Sequence, residues 1–242
     1  MSMSKVLVFF VGCLLVLSVR AQETVIQDPN AQLRSVKGFH GIRVSSAINL
    51  YLSQGQEEKV VVSAKDVKMR DMIKTEVVDG ILVIRLEGSW KWWHFSNNNK
   101  LKAYVSYTML DEITASGASD VFVDGVITGD KLSLNLSGAS DFKGAMKVGQ
   151  LSLDQSGASD SHITGQVSGT ATIHSSGASD VKGYDLVIEE CSAHASGASD
   201  IRITVNKQID ADATGASSIY FKGAGVLRES HSSGASNVGH SG

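Results

Sequence analysis

"SGASDVFVDG" occupies Ser116–Gly125, and its first five residues return at Ser137, Ser156, Ser176 and Ser196, then as "TGASS" at Thr214 and "SGASN" at Ser233. Successive copies lie 21, 19, 20, 20, 18 and 19 residues apart. A period near twenty is the mark of a solenoid, in which each unit packs only against its neighbours. Leucine-rich repeats share this length, but their L-x-x-L-x-L consensus is missing from these units, and so is any helical periodicity.

Alternation fills the space between copies. Before each phrase, apolar or small residues occupy every second place: Leu132, Leu134 and Leu136; Leu151 and Leu153; Ala171 and Ile173; Cys191, Ala193 and Ala195. After it the alternation resumes, as in Val121 and Val123, or Ile201 and Ile203. The two runs are out of phase across the phrase, so the chain must turn a corner there. Each unit reads as strand, corner, strand and a looser return. Stacking such units about 4.8 Å apart makes a parallel β-helix of roughly 20-residue coils. The usual hand of parallel crossovers predicts right-handed winding. The chain is therefore expected to be all-β.

At the corner, Gly reaches backbone angles closed to other residues, the following Ala fills a narrow bend, and Ser and Asp accept from turn N–H groups. Like residues should stack in columns. That raises a question for Asp120, Asp141, Asp160, Asp180 and Asp200, because neighbouring like charges at this spacing repel by about 1 kcal/mol in water and more at lower dielectric. The carboxylates could splay into solvent, accept N–H bonds or bind calcium, which favours several oxygens at once. Known calcium-binding β-helix repeats place Asp every nine residues with more glycine, so a structural corner ladder is the expectation and no metal or cofactor is expected.

The first 21 of the 242 residues read as a secretory signal: Lys5, the apolar run "VLVFFVGCLLVLSV" and the small-residue site "VRA" before Gln22. "FVGC" at Phe10–Cys13 resembles a lipoprotein cleavage box, yet cutting there would leave most of the apolar run in place, so export with cleavage after Ala21 is expected. Cleavage removes Lys5 and Arg20 and no acid, leaving 20 basic and 25 acidic residues. With no basic block, a nucleic-acid footprint is excluded. Only Cys191 remains, which excludes an internal disulfide and a Cys-based zinc site. Pro29 is the only proline, which suits an uninterrupted sheet.

From Val36 to Leu110 the phrase is absent but alternation persists, and "VDGILVI" reads as a turn at Asp79–Gly80. No linker separates the halves. Residues 22–242 are expected to form one domain, with irregular first coils over 36–115, some pairing antiparallel, and regular coils over 116–237. Three stretches resemble the family described as auto-transporter adhesin, head GIN domain, found in exported proteins of Bacteroidetes: "FHGIRVSSAINLYLSQG" (Phe39–Gly55), "IKTEVVDGILVIRLEG" (Ile73–Gly88) and "LDEITASGASDV" (Leu110–Val121). The resemblance spans about Val36 to Asn237. It implies an exported β-helical domain and brings no catalytic residues with it.

Function is expected from what the scaffold presents. "WKWWHF" at Trp90–Phe95 gathers all three tryptophans; Trp90, Trp92, Trp93 and Phe95 could stack on sugar rings, meet a partner protein or lipid headgroups, or close over the solenoid as a lid. His174 and His194 stand two residues before successive corners, which predicts a stacked pair; two such ligands alone rarely hold a catalytic metal. An enzyme would need carboxylates and basic groups converging at one place, whereas the Asp column is regular, Arg is sparse through the repeats, and the serines lack a repeated His partner. The expectation is an exported, non-enzymatic, adhesin-like module binding a glycan or cell-surface protein, with self-association through a solenoid end or the aromatic loop. The alternatives are a polysaccharide-active enzyme and a purely structural envelope component.

Overall fold

The computed structural model describes residue 28 and residues 30–88 and 101–241. The first part comprises β1 (Gln32–Arg34), β2 (Gly41–Val44), β3 (Ile48–Gln54), β4 (Lys59–Ser63), the short α1 (Val67–Asp71), β5 (Ile73–Val78), β6 (Ile81–Leu86), β7 (Leu101–Tyr107) and β8 (Glu112–Ala115). Five long strands follow, each bent through the return of one coil: β9 (Val121–Leu136), β10 (Phe142–Gln155), β11 (Ser161–Ser175), β12 (Asp180–Ala195) and β13 (Asp200–Gly215). The chain then forms β14 (Ser218–Lys222), β15 (Val226–Gly234) and β16 (Asn237–His240).

These strands build a β-solenoid. Its entry face, running into the corners, stacks β6, β2, β8, the second halves of β9 to β13, and β15, all in parallel. Its exit face, leaving the corners, stacks β7, β3, the first halves of β9 to β13, β14 and β16. Inward residues form continuous rows. One runs Ile42, Ile113, Leu134, Leu153, Ile173, Ala193 and Ala211; another runs Leu50, Val121, Phe142, Ser161, Val181, Ile201 and Ile219. Every member is buried. Each large aliphatic in such a row contributes about 1.5–3 kcal/mol through removal from water. In β15 the entry-face row turns polar, with Ser230 beside Ala211 and Ser232 beside Ala213.

The regular coils follow the chain, but the irregular ones do not. The coil β2–β3 lies between β6–β7 and β8–β9, so spatial order and sequence order differ at this end. Antiparallel pairing appears here as well: β4 with β7, β1 with β4, and β5 with β6. The β5–β6 turn has φ of 51° at Asp79 and 77° at Gly80, the signs a two-residue hairpin needs. His40 locks this turn in place: its N–H donates to Gly80 O, and its Nδ1 lies 2.8 Å from Asp111 Oδ1.

Candidate functional site

At the corners the structure corrects one expectation. The Ala of each phrase faces outward, and the second Ser turns inward: Ser119, Ser140, Ser159, Ser179, Ser199 and Ser217 are all fully buried. The phase shift explains this, since the residue facing the core must be both narrow and able to meet polar backbone. These hydroxyls do so along the stack. Ile48 N–H donates to Ser119 Oγ, Ser119 N–H to Ser140 Oγ, Ser140 N–H to Ser159 Oγ and Ser159 N–H to Ser179 Oγ, at 3.1–3.4 Å. Several also donate, as Ser199 Oγ does to Ser175 O and Ser196 O at 2.9 Å. Glycine is required beside them: at Gly177 φ is 81°, and a Cβ would stand 2.4 Å from Gly157 O.

The aspartates form an outward row on the exit face. Asp120 Oδ1 accepts from Asp141 N–H, Asp141 Oδ1 from Asp160 N–H and Asp160 Oδ1 from Asp180 N–H, at 3.1–3.3 Å. Cations from the adjoining row offset the charge: Lys182 Nζ lies 2.8 Å from Asp160 and 3.8 Å from Asp180, and an Arg202 nitrogen lies 2.6 Å from Asp200. The hydrogen bond from Lys182 to Asp160 holds the lysine's pKa above its ordinary value. Asp120 has no such partner among the described residues, and burial pushes its pKa up, against the Asp141 N–H bond that lowers it. Among the described residues no group of three or more His, Cys, Asp or Glu is placed to hold a metal ion. Cys191 lies in the core, where burial pushes its thiol up to about 12.

Trp90, Trp92, Trp93 and Phe95 lie outside the described residues. The segment that carries them joins β6 to β7, and those strands enter and leave the same edge as the SGAS corners.

Beside that edge, on the entry face, runs a shallow furrow whose residues the sequence displays only at one position per unit, two before each "SG". Register brings Thr114, Asn135, Asp154, His174, His194, Asp212 and His231 into one row. The expected His174–His194 stack is present, with centroids 4.7 Å apart and rings 16° from parallel. His194 Nδ1 lies 4.0 Å from Asp212 Oδ2 and its Nε2 3.1 Å from Ser192 Oγ. Ser152 Oγ donates to Asp154 Oδ2 at 3.4 Å, so the preceding outward residue orients these groups. The opposite wall is the first Ser or Thr of each phrase, among them Ser156, Ser176, Ser196 and Thr214. Two hollows of about 220 and 260 Å³ share His174 and Ser176 and so form one trough. Asp212 Oδ1 is covered yet has no hydrogen-bond partner among the described residues.

A stack of parallel coils with a polar trough along its corners defines a β-solenoid with an exposed, elongated surface groove. The chain belongs to the family described as "Putative auto-transporter adhesin, head GIN domain", whose model matches residues 38–225. A putative adhesin from Bacteroides fragilis is similar in structure, with a TM-score of 0.79 at 21% identity over 87% of this chain and 95% of that one. A putative adhesin from Parabacteroides merdae has a TM-score of 0.67 at 15% identity, over 88% and 95% of the two chains. A putative lipid binding protein from Parabacteroides distasonis has a TM-score of 0.66 at 18% identity, over 88% and 97%. At these identities the likeness is one of fold. No protein of curated function matches the chain.

Proposed function

We propose that the protein is an exported, non-enzymatic, adhesin-like module that holds a glycan or a surface protein along its corner edge. One observation carries this reading. Between β2 and β3 the chain has only residues 45–47, whereas between β6 and β7, which form the adjacent coil, it has residues 87–100. Insertions in repeat proteins collect on one face, often the binding face, and the sequence of this connection carries Trp90, Trp92, Trp93 and Phe95. Tryptophan offers a flat apolar surface with one N–H donor, suited to a sugar face or a protein contact. The family's description and the apolar run at Val6–Val19 support export and adhesion. No helix among the described residues is long and apolar enough to cross a membrane.

A glycan array probed with the chain from Gln22 onward tests the reading. Binding to glycans that carry no free amino group is expected, and Trp92→Ala with Trp93→Ala should abolish it. Binding that survives both substitutions would remove the aromatic segment from the contact surface.

A further inference from the structure

We infer that the furrow is a second binding site, and that it takes a linear glycan bearing protonated amino groups, such as an oligomer of unacetylated hexosamine. The inference does not depend on the aromatic segment.

Shape sets the first limit. From Asn135 to Asp212 the row crosses four strand spacings, about 19 Å, so the trough fits several linked units of an extended chain. Chemistry sets the second. Leu136 and Ala195, its apolar lining residues, are buried and leave no apolar floor for an acyl chain. What the trough offers is two carboxylates, Asp154 and Asp212, with the imidazoles of His174 and His194 between them and a wall of hydroxyls that can both donate and accept.

Charge sets the third. No Lys or Arg is among the described residues lining the trough, and nearby Arg228 is engaged by Asp210. A uronate or sulfated chain would meet two carboxylates and no Lys or Arg, whereas an ammonium group would pair with the carboxylates. Asp212 is a carboxylate with which a ligand would pair, since its side chain is 44% exposed and His194 Nδ1 stands 4.0 Å from Oδ2, beyond hydrogen-bond distance. A basic peptide has the charge but lacks a means of docking. Strand addition needs an open edge, and β10 to β13 are paired on both sides along this stretch.

The test is calorimetric titration of the chain from Gln22 onward with a glucosamine hexamer. Binding is expected to weaken about tenfold or more in Asp154→Asn/Asp212→Asn. Raising salt from about 0.05 to about 0.5 M should weaken it too, because both carboxylates are solvent-accessible. The N-acetylated hexamer and a hexa-uronate should bind about tenfold more weakly or worse. Both substitutions replace outward side chains with near-isosteres, and an unchanged thermal midpoint verifies the fold.

The inference is overturned if the wild type does not bind the glucosamine hexamer, or if the Asn variant binds it undiminished. It is equally overturned if the uronate, the N-acetylated hexamer or a pentalysine peptide binds as tightly. Trp92→Ala/Trp93→Ala should retain this binding. Should that variant lose it while the Asn variant keeps it, the furrow is not the site and the aromatic reading stands alone.

Discussion

A serine hydroxyl is small enough to point into a narrow core and polar enough to accept a backbone N–H there, and this dual fit explains the inner corner column. Where the core holds a larger polar group, the same logic is more demanding. Gln155 is buried; its amide nitrogen donates to Ser159 O and Ser175 Oγ, and its oxygen accepts from Ser161 Oγ at 2.8 Å. Gln155→Ala leaves a cavity and removes three hydrogen bonds, of whose partners Ser175 Oγ still donates to Ser179 O, so urea unfolding should show a loss of about 2–4 kcal/mol. Asp120 predicts the opposite sign. Its folded pKa lies above the unfolded one, so its contribution is fully present below the unfolded pKa and is lost as pH rises through the folded value. Asp120→Asn keeps an acceptor for Asp141 N–H and removes the charge. It should raise the melting temperature at pH 7 by on the order of 1 °C, solvent screening keeping the effect small. The gain should vanish near pH 3, and a lower midpoint at pH 7 would contradict the cause assigned here.

At the scale of one element, the corner is the unit that must not change. Gly177→Ala forces a left-handed backbone on a residue with a Cβ, at about 1–2 kcal/mol, and drives that Cβ against Gly157 O. A loss exceeding about 2 kcal/mol is expected in denaturant titration, and a neutral outcome would mean the corner can relax. Much of this element was legible beforehand: "SGASD" announces a bend by its glycine and by the phase shift around it. Which small residue faces inward was not legible, because Ala and Ser differ little in size and the choice rests on backbone donors one coil away. The furrow stayed hidden for a related reason. His174 and His194 stand out as a pair, but Asp154 and Asp212 join them only once the strand register is known, and ordinary exposed carboxylates carry no mark of that.

Over the whole molecule, stability is local, each coil held by the two beside it. β15 is exposed along its length, with Val226 at 67%, while β11 and β12 are flanked on both sides. Amide exchange should therefore be faster in β15 than in β11 by at least about tenfold; uniform protection would mean that the solenoid opens as one unit. The regular coils could be drawn from the period alone. The order of the irregular ones could not, since alternation in "GIRV" and "INLYL" states which side chains face inward but not which strands lie alongside.

That displaced coil has a consequence in time. Within the repeats a residue waits about twenty positions for its partner, as Leu153 does for Ile173, whereas Leu50 pairs with Val121, 71 positions on. Closing the longer loop costs only about 1 kcal/mol more at equilibrium, but distant pairings delay folding. The coil made early in synthesis must stay open until the strands that sandwich it have arrived, and so it is completed late. Refolding should accordingly show a fast phase from the repeats and a slower one in which Tyr51 comes to stack between Tyr104 and Phe122. A protein that reads as a simple ladder would then be assembled out of order, its early rung fitted only after those on either side.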